Sequence, residues 1–531
     1  MSVVAHRATD GETSPPEPRG WVRREIGWLA PSLVAVANAV AFAIIAPNVN
    51  DIFAAIARES AVLHGVGPKY WFSWFGGGST PGNYSVLTPY LSALVGAVTL
   101  AAIATAACTP LAWFALRDTS RPVLGMWLVT LTAGLNLWSG RVPFALGCLM
   151  TIALVVMLRQ GRQWLAALFG MLAVASSPVS GAFLLLALSG LFLTAPQWRR
   201  RCLLVAAPIM VALLVVAVAF GQPGPETFSF VQLLQLTAAL GVFLVARPPS
   251  WLRASIWVAL LAGPVVFLVP NGLGDNILRF AAYCLPAVVI ATSRARTAWA
   301  LAGISVALSL SIKTSVRDVV EGAGETASPD YYTTLVAELT KIEGQLRNCR
   351  LEVVEDGTHT ASYALLDHAM LARGYEYQED NALNGVLSKP DLGPTAYKIW
   401  LQDNAVCYVA ISSTQRKPSP EYALVSKNRP DYLAEVWQDD KWALYKVAHP
   451  NPIVAPPVSV TSFSQSALVL HVPCACTFQV RVRKPGNLRA QTSPPANTDR
   501  SPVRATLAPD GFGWTTMTTT QPGDYTLTGS I

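Results

Sequence analysis

Long apolar segments separated by short polar turns run from residue 27 to residue 312, and the pattern changes abruptly after them. A helix needs about 20 mainly apolar residues to cross a bilayer. The apolar segments and their breakers predict about eleven such helices, near residues 27–47, 87–115, 123–139, 144–158, 163–177, 180–196, 202–220, 230–246, 254–270, 280–293 and 297–312. We therefore expect an α-helical polytopic membrane bundle.

The residues on either side of this bundle have patterns typical of soluble segments. Residues 1–26 are polar and Pro-rich without periodicity, which predicts a disordered tail. Residues 313–328 predict a linker, and residues 329–452 alternate helical and strand patterns that predict an α+β domain. Residues 457–531 consist of short β runs between Pro, Gly and Asn turns. They predict a small β-sandwich-like domain.

Positive charge orients the predicted bundle. Residues 1–312 contain 19 Lys and Arg residues, and 15 of them fall in the N-terminal tail or in alternate loops. Such an excess marks cytoplasmic segments, so the N-terminal tail is predicted to be cytoplasmic. An odd number of spans then places the C-terminal domains outside the cell inner (plasma) membrane. Because this topology accounts for the pI near 9.0, no nucleic-acid partner is predicted.

The first loop of the bundle, residues 47–89, is longer than a connector requires. It begins with Asn50, a predicted donor-binding residue, and Asp51, and it continues as a predicted helix over residues 52–64. Asp51 has two interpretations that do not exclude each other: it caps this helix, or it acts as a general base at the membrane surface.

The second half of this loop combines Lys69 with Tyr70, Trp71 and Trp74. Aromatic rings in such a cluster either stack on sugars or form a belt at the membrane interface. Lys69 either binds a phosphate or extends to the interface beside the rings. Lys69, Tyr70 and Trp71 are therefore predicted substrate-binding residues, with the interface belt as the alternative.

The acidic residues of the bundle concentrate on its predicted outer face. Asp51, Glu59, Glu226 and Asp275 all fall there, and none of them lies in the middle of a span. An ion-driven carrier usually places ionisable groups near the membrane midplane. The pattern favours chemistry at one membrane face, on a lipid-borne substrate.

Two arginines at the same face, Arg141 and Arg279, are candidates for binding a lipid phosphate. A guanidinium binds phosphate bidentately and keeps its charge at the membrane surface. Glu226 and Asn276 lie in loops of the same face and join them as predicted binding residues. The alternatives are an interface anchor for each arginine and a solvated loop position for Glu226.

A first helix followed by Asn50-Asp51, a long loop with an amphipathic helix, many further spans and an outer C-terminal region resembles the GT-C superfamily of membrane glycosyltransferases. The resemblance implies Asp51 as the catalytic base and a polyprenyl-phosphate sugar as the donor. It also implies an envelope glycan or lipid as the acceptor, and Arg279 or Arg141 as the ligand of the donor phosphate. A paired acidic motif common in a later outer loop is missing here, and Glu226 is the nearest substitute. The need for a divalent metal stays open.

The α+β region resembles the outer domain of a family of uncharacterised bacterial membrane proteins, through the runs LARGYEYQEDNALN and AYKIWLQDNAVCYVAIS and the segment that follows them. This resemblance implies a shared architecture. The first run is dense in polar residues, which either reach over a membrane-facing cleft or form a salt-bridge network. Arg373 is the predicted binding residue among them.

Four of the eight cysteines fall in the predicted outer region, where disulfides persist. Cys349 and Cys407 lie at or beside strands of one domain and are predicted to form a bridge. Cys474 and Cys476 are two residues apart in a strand and are expected on one face. No CxxC or HxxxH spacing supports zinc binding, so no metal site is predicted.

Two other classes of function stay open beside the glycosyltransferase: a transporter or flippase of a lipid-linked or small substrate, and a non-catalytic envelope assembly module. The chain has no Walker loop, no GxGxxG after a strand, no GxSxG and no HExxH. Its predicted cytoplasmic loops are too short for a nucleotide-binding domain. Any donor is therefore expected to arrive from the membrane.

Overall fold

The structure is a computed structural model that describes residues 26–221, 224–416, 418–492 and 502–530, and of Asn50 only the backbone. Apart from residue 26, the segment predicted as a disordered tail lies outside the described residues.

The membrane part of the fold is helical. Its helices are α1 (Leu29–Ile45), α2 (Asn50–Leu63), α3 (Thr88–Val95), α4 (Ala97–Leu116), α5 (Pro122–Trp138), α6 (Val142–Arg159), α7 (Gln163–Ser176), α8 (Pro178–Thr194), α9 (Arg199–Phe220), α10 (Phe230–Phe243), α11 (Ser250–Leu268), α12 (Leu285–Thr292) and α13 (Thr297–Gly322). A 3₁₀ turn, Gly274–Ile277, and a π-helical turn, Phe280–Cys284, precede α12.

By length and composition, six helical segments are suited to cross a membrane: Ala97–Leu116, Val142–Arg159, Pro196–Phe220, Ser250–Leu268, Gly274–Thr292 and Thr297–Gly322. Five shorter apolar helices accompany them among the described residues: Leu29–Ile45, Pro122–Trp138, Gln163–Ser176, Pro178–Thr194 and Phe230–Ala246. The expected helical membrane region is confirmed in this coarser form.

The predicted span over residues 87–115 is divided into two helices at Gly96. Its φ of 87° lies in the left-handed region, which glycine adopts without a Cβ clash. The carboxylate of Glu59 accepts a hydrogen bond from the backbone N–H of Ala97 at 2.6 Å. This bond satisfies one of the free N–H groups at the start of α4.

Helix α13 continues to Gly322, ten residues into the range that was predicted as a linker. Ser311, Ser315, Asp318 and Gly322 recur every three or four residues and are buried, so a polar stripe of this helix faces the protein. A Cβ on Gly322 would lie 2.4 Å from the backbone oxygen of residue 48, which shows how closely helix α13 approaches the segment between α1 and α2. The polar composition of residues 313–328 predicted a linker. No local pattern shows that the first part of this range packs against residue 48.

The C-terminal region begins with an α+β unit. Its helices are α14 (Thr333–Lys341), α15 (Glu343–Leu346), α16 (Ala361–Ala364), α17 (Tyr377–Asn384), α18 (Pro394–Asp403) and α19 (Pro420–Ala423). Its strands are β1 (Arg350–Val353), β2 (Val406–Ser412), β3 (Leu433–Gln438) and β4 (Trp442–Val447). They form one sheet in the order β1-β2-β4-β3, in which β1 and β2 are parallel and the other neighbours are antiparallel.

The last part of the chain is all β, as the turn-rich pattern predicted. Its strands are β5 (Ser459–Phe463), β6 (Ala467–Val472), β7 (Thr477–Val480), β8 (Leu488–Thr492), β9 (Thr506–Pro509), β10 (Thr515–Thr518) and β11 (Gly523–Gly529). A four-stranded sheet, β5-β6-β11-β8, and a three-stranded sheet, β7-β10-β9, share one core that includes Leu470, Met517 and Tyr525.

The loop between α2 and α3 joins the membrane part to the C-terminal region. The backbone N–H of Phe72 donates to Gln465 at 3.1 Å, and the N–H of Gly76 donates to Leu371 at 3.1 Å. In return the N–H of Leu371 donates to the carbonyl of Ser73 at 2.9 Å. These backbone bonds hold the C-terminal region against the end of the bundle where α2 begins.

Candidate functional site

Asp51 and Arg141 meet at this end of the bundle. Asp51 lies in the first turn of α2, and Arg141 immediately precedes α6. The Nε of Arg141 donates to Oδ2 of Asp51 at 3.0 Å. The Arg141 side chain is 8% exposed and that of Asp51 is 24% exposed, so the pair is mostly shielded but still open to the surface on the Asp51 side.

Arg141 has two further partners. Its Nη2 lies 3.3 Å from Oδ2 of Asp318 on α13, and its Nη1 donates to the Tyr283 hydroxyl at 3.2 Å. Asp318 also accepts from Arg317 at 3.0 Å. Every nitrogen of the Arg141 guanidinium is therefore engaged by the protein. Its role in the resting structure is to hold Asp51, Asp318 and the Tyr283 segment together.

A residue of the C-terminal region completes the surroundings of Asp51. The Tyr375 hydroxyl donates to Oδ1 of Asp51. Burial alone raises the pKa of the Asp51 carboxyl, but the positive charges of Arg141 and Arg279 act in the opposite direction. With the hydrogen bond from Tyr375 they outweigh the burial, and the pKa lies below its ordinary value. Asp51 is therefore a carboxylate at neutral pH.

Arg279 differs from Arg141 because no acidic side chain among the described residues is in direct contact with it, although Asp51, Glu226 and Asp275 lie near enough to interact with its charge. Among the described residues, its guanidinium forms no hydrogen bond or ion pair, and its close contact is with the ring of Phe144, 5.7 Å from the ring centroid. The side chain is half-buried. A cation that is shielded but unpaired can accept an anionic ligand without first losing a protein partner.

Two acidic residues flank Arg279. Oε2 of Glu226 accepts from Nε2 of Gln378 at 2.8 Å, and Asp275 accepts from Gln232 at 2.8 Å. Burial raises the pKa of the Glu226 carboxyl, and the charge of Asp275 raises it further. Asn276 lies in the same 3₁₀ turn as Asp275 and is half-buried. The predicted residues Glu226 and Asn276 are thus near Arg279, at the rim of the site.

A cavity of about 430 Å³ extends from this cluster into the bundle. Its walls are almost entirely apolar and include Phe144, Phe183, Phe280, Tyr283, Trp198 and Trp251. Along α6 it reaches from Phe144 to Arg159, the last residue of the helix. At 1.5 Å per residue this is a length of about 22 Å.

The cavity and the charged cluster share two side chains. Tyr283 lines the cavity and accepts the hydrogen bond of Arg141, while Phe144 lines it and lies under Arg279. A ligand with an apolar chain in the cavity would therefore carry its head group to the arginines and to Asp51.

The aromatic rings in the second half of the first loop are buried, whereas they were predicted to bind substrate or to lie at the membrane interface. Tyr70, Trp71 and Trp74 are each at most 1% exposed, and the rings of Trp71 and Trp74 lie 4.3 Å apart between centroids. No face of these rings is free to stack on a sugar. They form the core that joins the first loop to the C-terminal region. The backbone carbonyl of Lys69 accepts from Asn487 at 3.2 Å, so Lys69 also belongs to this junction and not to the Asp51 cluster.

Arg373, predicted to bind substrate, is instead the centre of an ionic cluster inside the α+β unit. It pairs with Asp380 at 2.6 Å, Glu421 at 3.2 Å and Glu352 at 3.6 Å. Its positive charge is paired with carboxylates of the protein and is not available to a ligand. This placement agrees with the alternative interpretation of its segment, a salt-bridge network.

Three residues of the Asp51 cluster were missed by the sequence reasoning: Tyr283, Asp318 and Tyr375. Tyr283 had a usable signal, since a phenol within an apolar span needs a hydrogen-bond partner. Asp318 lay in the range predicted as a linker. Tyr375 lay in the polar run already noted, but nothing local distinguishes it from its neighbours. The side chain of Asn50, a predicted donor-binding group, lies outside what the structure describes.

Disulfides connect Cys349 with Cys407, and Cys474 with Cys476. The first bridge joins the residue before β1 to the parallel neighbour strand β2. Within the described residues, no group of three His, Cys, Asp or Glu side chains is arranged to hold a metal ion.

The fold and this cluster define a class: a mainly helical protein with six segments suited to cross a membrane, a mixed α+β and β region at one end, and a charged cluster at the junction. Comparison of the chain with protein-family models and with curated proteins gives no match.

Proposed function

We propose that this chain is a GT-C-like membrane glycosyltransferase that uses a polyprenyl-phosphate-linked sugar in the assembly of an envelope glycan or glycolipid. The observation that carries the proposal is the apolar cavity whose wall residue Phe144 also contacts the unpaired guanidinium of Arg279. An apolar tail with a phosphate head needs this combination of a long apolar channel and a shielded cation at its mouth.

The proposal assigns a role to each group of the site. The polyprenyl tail occupies the cavity, and Arg279 binds the phosphate. The acceptor hydroxyl attacks the anomeric carbon of the sugar, the new glycosidic bond forms, and the bond between the sugar and the phosphate breaks. Asp51 takes the proton of the hydroxyl, and Arg279 stabilises the charge on the departing polyprenyl phosphate. Attack from the side opposite the phosphate inverts the anomeric centre.

The lowered pKa of Asp51 is compatible with this role. It keeps the carboxylate ionised at neutral pH, so the proton-accepting form is always present. It also weakens the driving force for proton transfer. Arg141 and Tyr375 then orient the carboxylate toward the acceptor.

The proposal includes a topology. The six segments long enough to span and the five shorter apolar helices together make eleven crossings. With the N-terminus in the cytoplasm, eleven crossings place Asp51, Arg279 and the C-terminal region on the outer face of the plasma membrane. The charge bias of the loops supports this orientation.

The test uses the full chain in lipid nanodiscs with labelled polyprenyl-phosphate sugars as donors. Envelope material from cells that lack the chain supplies the acceptor. Arg279→Met should weaken polyprenyl-phosphate binding by about 10–100-fold, since a hydrogen bond to a charged group contributes about 1.5–3 kcal/mol.

Arg199→Met is the matched control for that variant. Arg199 also lies 5.7 Å from the centroid of a phenylalanine ring, that of Phe192, but it is the first residue of α9, away from the Asp51 cluster. The Arg199→Met variant should bind polyprenyl phosphate as tightly as the unmodified chain does. Absence of sugar transfer with every donor, together with equal binding by both variants, would contradict the proposal.

A lipid flippase is the second candidate, and one observation favours it. The cavity continues along α6 from the Asp51 cluster to Arg159, at the other end of the helix. In reconstituted vesicles a flippase would move a fluorescent polyprenyl phosphate between leaflets in the absence of any acceptor. A glycosyltransferase would bind the same lipid without moving it.

A further inference from the structure

One short segment of the C-terminal region lies over the candidate site. Residues 375–380, called the strap below, lie just after Arg373 and include the first turn of α17. The Tyr375 hydroxyl donates to Asp51, and the Glu376 carboxylate pairs with Arg58 of α2. Both contacts cross from the C-terminal region to the first loop of the membrane part.

The strap also reaches the opposite rim of the site. The side chain of Gln378 donates to Oε2 of Glu226 at 2.8 Å and to the carbonyl of Gly272 at 3.2 Å. A Cβ built on Gly224 would lie 2.6 Å from the backbone oxygen of Gln378. The strap therefore connects two membrane loops that are remote in sequence, with Asp51 and Arg279 between them.

The strap's hydrogen bonds and ion pairs with the membrane part are made by side chains. The backbone bond in this segment, from the N–H of Asp380 to the carbonyl of Glu376, is local. Side-chain contacts can exchange for water one at a time, whereas a backbone ladder must break cooperatively. Within its own region the strap makes two further ion pairs, of Asp380 with Arg373 and of Glu379 with Lys484.

In this arrangement Asp51 is not open to a large acceptor. One carboxylate oxygen accepts from Tyr375 and the other from Arg141. About a quarter of the side chain remains exposed, while a glycan or lipid hydroxyl brings its neighbouring atoms with it. Arg141 is fixed by three partners, so Tyr375 is the group whose movement would open the site.

We propose that the strap is a lid that lifts from the membrane part to admit the acceptor to Asp51 and closes over the site during transfer. This inference rests on the proposed function, because it takes Asp51 as the base. The donor tail occupies the cavity, whose walls include none of the strap residues 375–380, so lid movement regulates access of the acceptor and leaves binding of the donor tail unaffected.

A disulfide lock tests the lid in the full chain. The Cβ built on Gly224 lies 3.1 Å from Cβ of Ala382 on α17, close to the 3.5–4.5 Å of a disulfide. The double variant Gly224→Cys with Ala382→Cys should close the lid on oxidation and release it on reduction. Each single variant controls for the cost of a side chain at Gly224, whose φ is 135°.

Amide hydrogen exchange is the main readout, because it needs no substrate. In the unmodified chain, residues 375–384 should exchange about 100-fold faster than strand β4 through local opening. The oxidised lock should remove this difference, and reduction should restore it. Glu376→Gln should accelerate exchange further, while Tyr377→Phe, at an exposed neighbouring position, should not.

The outcomes separate the lid from the proposed function. If residues 375–384 exchange as slowly as β4 in the unmodified chain, and the lock changes nothing, the strap is a fixed contact and the lid is refuted. Polyprenyl-phosphate binding should be equal in the oxidised and reduced forms. Absence of binding in both forms would contradict the proposed function and leave the exchange result on the lid intact.

Discussion

Two arginine-centred clusters lie at the two ends of the strap, and they differ in what surrounds them. Arg373 is enclosed by Glu352, Asp380 and Glu421 inside the α+β unit, and burial raises the pKa of both glutamates. The cluster of Asp51 and Arg141 borders a long apolar cavity instead.

This difference gives a criterion that distinguishes a structural ionic network from a candidate ligand site. Around Arg373, one cation serves several buried carboxylates, and no positive charge is left for a ligand. Beside Arg141, a second cation, Arg279, has no ion-pair partner among the described residues and contacts Phe144, a wall residue of the cavity. The number of charges is similar in the two places. The unpaired cation next to an apolar space distinguishes the second.

The largest expected effect concerns the reacting group of the Asp51 cluster. Asp51→Asn keeps the shape of the side chain but removes the proton acceptor, so sugar transfer should fall about 10²–10⁴-fold. The measurement is initial-rate transfer of labelled sugar at matched protein level.

Asp118→Asn is the control for this variant, because Asp118 is also paired with an arginine, Arg159 at 2.5 Å, at the other end of the bundle. It should transfer sugar at the unmodified rate. Full activity of Asp51→Asn would show that Asp51 is not the catalytic base. The Asp51 cluster would then be a structural ionic network like that of Arg373.

The next effect concerns the Arg373 cluster and should appear in stability. Arg373→Met leaves three carboxylates without their cation, and removal of one partner from a buried ionic network costs about 3–5 kcal/mol. The free energy of unfolding in denaturant measures this loss. Polyprenyl-phosphate binding by the folded fraction should not change.

Arg279→Met should have the opposite effects: it should weaken polyprenyl-phosphate binding and change the free energy of unfolding little. Its close contact is with a single ring, that of Phe144, and such a contact contributes about 0.5–1 kcal/mol at a partly exposed position. If Arg279→Met lost more stability than Arg373→Met, the contrast between the two clusters would be wrong.

A further effect, which appears only as the pH changes, lies in the strap that joins the clusters. Burial and the neighbouring charge of Glu376 raise the pKa of Glu379 from 4.5 to about 7, although Lys484 opposes the shift. Between these values the folded chain binds more protons than the unfolded chain. The stability contributed by Glu379 is therefore greatest below pH 4.5 and is lost as the pH rises to about 7.

The predicted size of this loss is on the order of 3 kcal/mol, at 1.36 kcal/mol per unit of pKa. Unfolding measured from pH 4.5 to pH 8 should show it, and Glu379→Gln should flatten the profile. A profile of equal slope in the variant would assign the pH dependence to other groups. Asp367→Asn, a substitution of a half-exposed acid outside the strap, is the matched control and should keep the slope.

Several residues of the candidate site were predictable because their signals are local. The arginines after polar breaks, the acid after the first apolar segment and the amphipathic pattern of residues 52–64 are all visible in short windows. Asp51, Arg141 and Arg279 were identified in this way. Helix α2 is observed over Asn50–Leu63, close to its predicted range.

Other residues were not predictable because their partners are far away in the chain. Tyr375 contacts Asp51 across a separation of 324 residues, and Asp318 contacts Arg141 across 177. Trp71 and Tyr70 looked like interface or sugar-binding rings, since no local pattern shows that the C-terminal region covers them. Trp71 is buried in a core that includes Leu371, and Tyr70 in a core that includes Leu470.

The sequence by itself determined that this chain is built from apolar helices followed by an α+β and a β region, because helix and strand periodicities and span length are properties of short windows. It also placed acids and arginines at one end of the bundle. Only the tertiary structure decided which charges neutralise one another, which remain free beside a cavity, and which segment covers them. Those outcomes depend on distances of a few ångströms between residues that are hundreds of positions apart, where burial and pairing set the free energy of each charge.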